Sequence, residues 1–412
     1  MRSHYFSSFS FILFLTILFN GESWCASGSA KNTNTSPPTS PRIQNVKSAT
    51  TPEKTGTTIY KKDKVFPGYN IYTSDMTLNS FVRLVDMNSS LLHVWERNKK
   101  NEPGMWAYAT PFPDGSIFVT YEGATTINWQ RVNAASQILA TYNLPGQKAH
   151  AATYGLKDGG FLGLVDNVPD NGRMRDIKND SLVHISSSGQ LLKQIPLSKL
   201  FAKDPTYQKK IKSVSQKPKK NSTKLSTNGK IRPFDPTHTV YIENLEQDIP
   251  NIAKKGCWLV TVRNLNRIII VDPDKEEIIW QWGENIINWP HHAKFINGNQ
   301  ILLFDNGIDK KSSRIIIVDI KSKQIVWQYG QKPDQEFFTY TGGSVQRLPN
   351  DNTLISETNT GRAFEVTPSG EIVWEFYAQR TIKGKNLHIR SMIRVPYDFF
   401  KSLKFNYGKT FE

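Results

Sequence analysis

The 412-residue chain holds eight histidines, and their placement is the first sign of chemistry. His150, His238, the pair His291-His292, and His388 each stand at the head of an apolar run. Imidazole titrates nearest to neutrality, so a cluster of such rings suits nucleophilic attack, proton transfer, metal binding or anion capture. Each ring alone reads as a hydrogen-bonded residue at a strand end. Recurrence at one position of a repeat is what points to a shared site. Arg263 follows the apolar run Trp258-Leu259-Val260-Thr261-Val262. A guanidinium there would hold a tetrahedral oxyanion through two N–H groups, with a surface ion pair as the other reading. Asp305, in Asp305-Asn306-Gly307, either orients a histidine or makes a turn.

The positioning elements are strands. Trp289 to Gly307 reads as two antiparallel strands around an Asn297-Gly298-Asn299 turn. That unit belongs to a pattern recurring roughly every 45 to 50 residues, the period of propeller blades. Its last hairpin is clearest in Ile268-Ile269-Ile270-Val271-Asp272 to Trp282, in Ile315-Ile316-Ile317-Val318-Asp319 to Tyr329, and in Phe364-Glu365-Val366 to Trp374. Other copies run from Val82 to Trp95, Val183 to Leu192 and Gln130 to Tyr142. Complete units begin near Trp106, His150, His238, His291 and Gly342. A sixth is split, with its inner strand at His388 to Pro396 and its outer hairpin at 82–95. The pattern predicts an all-β, six-bladed β-propeller whose closing blade is shared between the chain ends. Inner strands line the central channel, so their first residues form a ring. Trp106 and Tyr108 offer apolar walls for an aromatic ligand, or else pack in the core. His93 and His184 sit in outer hairpins and read as structural.

Residues 1–26 read as a signal peptide, since Arg2 and His4 precede a short apolar run from Phe9 to Phe19 that cannot span a bilayer. Residues 27–64 read as a disordered Ser/Thr/Pro-rich linker, with order beginning near Pro67-Gly68-Tyr69, and the propeller occupies 65–412. Export to the periplasm or the exterior follows, with no integral membrane contact. Cys257 is then the only cysteine, which excludes an internal disulfide and a cysteine metal site. The net charge is +16, but ten of the basic residues fall between Lys203 and Arg232 against one acid, Asp204. That insert reads as a solvated loop or disordered segment. It lacks the interleaved aromatics of a single-strand binder, so nucleic acid is not an expected partner.

The segment HHAKFINGNQILLFDNG, from His291 to Gly307, resembles the bacterial arylsulfate sulfotransferases, exported six-bladed propellers that use no nucleotide sulfate donor. The likeness runs from about Pro67 to Trp374 and includes AHAATYGL around His150, DPTHTVYI around His238 and VTVRNLNRIIIVD around Arg263. It implies His291 as the nucleophile that carries a sulfohistidine. His150 and His238 become pocket histidines, one of them the general acid and base, and Arg263 the sulfuryl-binding group. His292 and His388 complete a substrate-binding set with Trp106 and Tyr108. The implied partners are a small aryl sulfate and a phenol, with no metal and no cofactor. His291 and His292 remain interchangeable at this stage, because a one-residue slip exchanges their faces. The chain carries Val240 where the family motif continues to Asn, which keeps open a second reading as a non-catalytic exported binding or scaffold protein. A quinone-dependent dehydrogenase propeller, suggested by Val326-Trp327-Gln328-Tyr329-Gly330, would need a longer chain and an eight-fold repeat.

Overall fold

The computed structural model describes residues 54–75, 81–97, 104–122, 127–167, 177–215, 234–379 and 387–400. The expected signal segment, residues 27–53 of the linker and residues 216–232 of the basic insert lie outside them.

Strands form because the repeated runs are rich in β-branched and aromatic residues and are buried on both faces. Arg267–Asp272 and Arg314–Asp319 carry the two Ile-Ile-Ile-Val runs, and each is the third strand of an antiparallel blade. Six sheets result, arranged as a six-bladed β-propeller. We number the blades along the chain: blade 1 spans 105–142, blade 2 spans 148–196, blade 3 spans 239–282, blade 4 spans 293–329 and blade 5 spans 344–377. Blade 6 joins His388–Val395, as inner strand, to Tyr69–Asp75, Phe81–Val85 and Leu91–Glu96.

The core is a ring of six apolar seams, one between each pair of neighbouring blades. Tryptophans of the outer strands fasten four of the six seams at the rim. Trp95 Nε1 donates to Gly115 O (3.2 Å), Trp280 Nε1 to Ile320 O (2.9 Å), Trp327 Nε1 to Pro368 O (2.7 Å) and Trp374 Nε1 to Met87 O (3.0 Å). Each bond reaches from one blade into a turn of the next, and a bond of this kind contributes about 1 kcal/mol.

Two expectations are corrected. Order begins before Pro67: Gly56–Tyr60, within the stretch read as linker, pairs antiparallel with Ile372–Tyr377 as a fifth strand of blade 5. It covers an outer edge that would otherwise expose unpaired backbone groups. The basic insert opens with a helix, Pro205–Ser215. Asp204 caps it, accepting from Tyr207 N–H (2.8 Å), and Pro205 takes the first position, where its missing N–H costs nothing. Tyr207 is buried against Phe201, with ring centroids 6.1 Å apart.

The inner strands are irregular where they begin. In blade 1 Ala107 is an extra residue between the Trp106–Tyr121 and Tyr108–Thr120 pairs. In blade 3 Val240 is extra, and in the closing strand Arg390 is. In blade 4 Phe304 bonds both His291 N–H and His292 O. In blade 2 the inner strand is interrupted between Lys148–Ala149 and Tyr154–Gly155, and His150 falls in the gap. Bulges of this kind re-aim side chains and end regular pairing.

Closure of the ring centres on Arg394, which is fully buried. Its Nε donates to Asn70 Oδ1 (2.8 Å), one Nη donates to Phe66 O (3.1 Å) and to Glu365, and the guanidinium lies 4.5 Å from the Trp374 ring centre. Gln346 of blade 5 bonds both the N–H and the C=O of residue 394, each at 2.9 Å. Removing one member of such a pair strands the other charge without water. Arg394→Met and Glu365→Leu should therefore each lower the unfolding free energy by about 3–5 kcal/mol, while the double variant loses less than either. Urea unfolding of the three variants checks this; strict additivity would contradict it.

Candidate active site

Arg263 opens a 3-10 turn, Arg263–Leu265, at the end of strand Trp258–Val262. It is 2% exposed, which excludes the surface ion pair. Its guanidinium stacks 4.5 Å from the centre of the Trp289 ring, and its Nε donates to Asn264 Oδ1 (3.1 Å). The turn ends at Asn266 in the left-handed region, and Asn266 Oδ1 accepts Trp289 N–H (2.8 Å). The same turn is sewn to the His238 loop, for Asn264 N–H donates to Thr237 O (2.9 Å) and Asn264 Nδ2 to Asp235 O (2.7 Å).

His238 has φ +43, held by Asp235, whose Oδ1 accepts the His238 N–H (2.7 Å). Asp235 Oδ2 lies 2.5 Å from His238 Nδ1, so Nδ1 carries the proton and Nε2 keeps the lone pair. His150 lies beside it, with ring centroids 6.1 Å apart. His150 Nε2 donates to Thr239 O (2.7 Å), and its Nδ1 is 3.8 Å from Asp166 Oδ2.

His291 is held from two sides. Its Nδ1–H donates to Asn306 Oδ1 (2.7 Å), while Asn306 Nδ2 donates to Thr339 O (3.0 Å) and Gly342 O (2.9 Å). Those two bonds fix the amide, and the amide fixes the tautomer, leaving the lone pair on Nε2. That lone pair accepts the Gly342 N–H at 3.2 Å. Gly342 and Gly343 both have positive φ, and a Cβ on Gly343 would meet the Phe304 ring at 2.5 Å, so the approach of this backbone requires glycine. His291 and His292 are thereby distinguished. His292 Nδ1 accepts Val345 N–H (2.9 Å) and its ring packs on Tyr241, centroids 4.6 Å apart.

Burial, then the Arg263 charge, pushes His291 down to about 3, and the same two causes, in that order, lower His238. Burial, with Lys294 and His291, holds His292 well below the ordinary range. Both site rings are thus neutral near pH 7, and each feels the same guanidinium. The structure brings His150, His238, His291 and Arg263 into one cluster at the start of the inner strands of blades 2, 3 and 4.

Trp106 and Tyr108 are buried in the apolar cluster between blades 6 and 1, which also takes in Ala152 and Tyr241, and Trp106 is edge-on to Tyr121 at 6.5 Å. His388 begins the closing strand, opposite Asp75, and the contacts just described do not run through it. Asp305 does not orient a histidine. It accepts Asn288 N–H (2.8 Å) and Arg314 Nε–H (2.9 Å), and the neighbouring Asn306 takes the orienting position instead. Asn306, Asp235 and the residues behind His150 were missed. The spacing Asp235-Pro236-Thr237-His238 carried a signal for one of them.

A propeller with imidazoles and one guanidinium gathered at the head of its inner strands is a class suited to binding a small oxyanion. The chain belongs to the arylsulfotransferase family, whose model matches residues 167–380. No curated protein matches it in sequence. Among solved structures, it is similar to a protein of unknown function from Bacteroides caccae (12% identity, TM-score 0.48, 76% of this chain and 94% of that one). It is also similar to a streptogramin B lyase (11% identity, TM-score 0.43, 81% and 94%) and to virginiamycin B lyase from Staphylococcus aureus (17% identity, TM-score 0.34, 66% and 69%). Scores this low carry no argument, and the fold rests on the blade topology above.

The depressed pKa of His291 fixes a pH dependence of stability. Between the ordinary value of 6.5 and about 3 the unfolded chain binds a proton that the folded one refuses, so stability falls as pH drops through that window. The slope is up to about 1.4 kcal/mol per pH unit for each such histidine. His291→Gln should flatten the decline between pH 6.5 and 4.5 in urea unfolding. An unchanged slope would mean that His291 is protonated in the folded protein.

Proposed function

We propose that the protein is an exported sulfotransferase that moves a sulfuryl group from an aryl sulfate to a phenol through a sulfohistidine at His291. The observation that carries this reading is the fixed tautomer of His291, with the proton on Nδ1 facing Asn306 and the lone pair on Nε2. A buried imidazole held neutral is a nucleophile at physiological pH without a separate base.

In the first half-reaction Nε2 gives up its hydrogen bond from Gly342 N–H and attacks sulfur, the N–S bond forms and the S–O bond to the aryl group breaks, its electron pair leaving with the phenolate. Positive charge grows on the ring, and Asn306 Oδ1 is placed to stabilise it through the Nδ1–H bond. Arg263 holds sulfuryl oxygens as negative charge shifts toward the leaving oxygen. The phenolate leaves as the anion. In the second half-reaction His238 Nε2, with its Nδ1–H held by Asp235, takes the proton of the acceptor phenol, whose oxygen attacks sulfur while the N–S electron pair returns to His291 Nε2, and the imidazolium then passes that proton to solvent. Protons and charge balance over the cycle, and no nucleotide, metal or redox partner is required by these steps.

Val240 favours the second reading, an exported propeller that binds its ligand without turnover. It is the bulged residue of the blade 3 inner strand, buried beside His238, and its side chain offers no hydrogen bond.

Purified protein given 4-nitrophenyl sulfate and a phenol, with no nucleotide donor, should release nitrophenol in an acceptor-dependent way. His291→Ala should abolish release, His238→Ala should lower it about 10²–10⁴-fold, and Arg263→Lys should lower it less than Arg263→Ala. Mass spectrometry should find the sulfonated His291 peptide when acceptor is withheld. Equal release by His291→Ala, or no release by the unaltered protein with its melting transition intact, would overturn the enzyme reading.

A further inference from the structure

Behind His150 and His238 lies a buried charge cluster of which the steps above use only Asp235. Lys178 stands just before strand Asn179–Ile185, and its N–H is tied to Phe234 O (2.8 Å). Its Nζ reaches three carboxylates, Asp166 Oδ2 at 3.1 Å, Asp235 Oδ2 at 3.1 Å and Asp180 Oδ1 at 3.3 Å. Each carboxylate then touches the site on its other side. Asp235 binds the His238 ring and backbone. Asp180 Oδ2 accepts Thr239 N–H (2.7 Å) and the Thr237 hydroxyl (2.9 Å), and its Oδ1 is 3.9 Å from His150 Nε2. Asp166 Oδ2 is 3.8 Å from His150 Nδ1.

We propose that Lys178 is a positioning residue for sulfuryl transfer, its ammonium offsetting the three carboxylates so that His238 stays neutral and the His150–His238 pair keeps its geometry. The inference rests on the sulfotransferase reading for its role and on the cluster alone for its electrostatics. Without the ammonium, three negative charges would face the pair, and a proton on His238 would be strongly favoured. With it, the carboxylates keep a net charge of two, one of which the Arg263 guanidinium offsets. The groups that bear on His238 are Asp235 from its own loop, Lys178, Asp166 and Asp180 from blade 2, His150, Arg263 and His291. Tyr207, on the helix, faces Asp180. Lys178 and Asp235 are held as charges. Burial disfavours each ion, yet Asp180, Asp235 and Asp166 hold Lys178 well above the ordinary lysine range, and Lys178 with His238 holds Asp235 well below the ordinary carboxylate range.

The test is the titration of the His238 imidazole in the full-length protein, followed by NMR of labelled histidine and assigned with His238→Gln. Lys178→Met should raise its midpoint by about one pH unit or more, Asp235→Asn should lower it, and Lys178→Arg should leave it near the unaltered value. In the nitrophenyl sulfate assay the acid-side limb of the pH profile should move in the same directions. Shifts of one sign for both Lys178→Met and Asp235→Asn, or no shift for either, would overturn the proposal, since loss of mere packing has no reason to oppose the two. If Lys178→Met does not fold, Asp235→Asn and Lys178→Arg still decide it. Because the titration needs no turnover, a protein that titrates as expected but releases no nitrophenol contradicts the sulfotransferase reading and leaves the electrostatic role of Lys178 standing.

Discussion

The structure depends on one closure, the pairing of the last described strand with Tyr69–Asp75 near the other end of the described residues. His388–Val395 must travel back across the whole sequence to lie against Tyr69–Asp75. Until it does, no axis exists and the inner strands of blades 2, 3 and 4 have nothing to converge on. The closing strand is tied to three blades at once, through Asn70 of its own blade, through Gln346 and Glu365 of blade 5, and through Arg390 to Glu122 of blade 1 at 3.1 Å. A buried ion pair contributes little net stability compared with apolar packing, but it is intolerant of misalignment. At a joint made between remote segments, that intolerance selects register, which the apolar seams alone specify less sharply.

Closure also explains where regularity is given up. The six seams are mainly apolar, and the histidine cluster lies where the inner strands begin. There Ala107, Val240 and Arg390 are bulged out, the blade 2 inner strand is interrupted, and His291 and His292 share one partner residue. A strand in unbroken register would send alternate side chains into the neighbouring seams. The irregular starts free consecutive residues from that alternation, so that His238, His291 and Arg263 reach one another from separate elements. The seams supply the stability that these departures draw on, which is the usual relation between a rigid scaffold and a strained site.

Much of this was legible in the chain. The Ile-Ile-Ile-Val-Asp runs, the Asn-Gly turns and the terminal tryptophans are local signals with a fixed period, and they specified blade number and closure. The histidines were found because each sits at a repeat position. The Asp305-Asn306-Gly307 turn was ambiguous because either polar residue can face inward, and only the bonds of Asn306 to Thr339 and Gly342 settle which does. Lys178, Asp166 and Asp180 were invisible because they follow no repeat, and they meet Asp235 only across blades 2 and 3. Trp106 and Tyr108 occupy the right repeat position, and the extra residue Ala107 between them breaks the alternation there. Gly56–Tyr60 was masked by composition, since a short Thr-rich edge strand resembles a linker until its partner is known.

The charge arrangement also constrains how an anion would approach. Asp166, Asp180 and Asp235 lie on one side of the His150–His238 pair, and Arg263, over Trp289, bears on His238 from another direction. A sulfate ester would be repelled from the carboxylate side and drawn to the guanidinium side. The imidazoles then stand between the anion and the carboxylates, with His238 Nδ1 bonded back to Asp235 and Nε2 left for the substrate. Such an order lets a proton move to or from the substrate without bringing two anions together. It also gives the lysine a reason to be buried. Were it at the surface, water would screen it, and the three carboxylates would be felt undiminished at the site. Held inside, one ammonium keeps the rings neutral while its own donors are spent on partners that face away from the ligand.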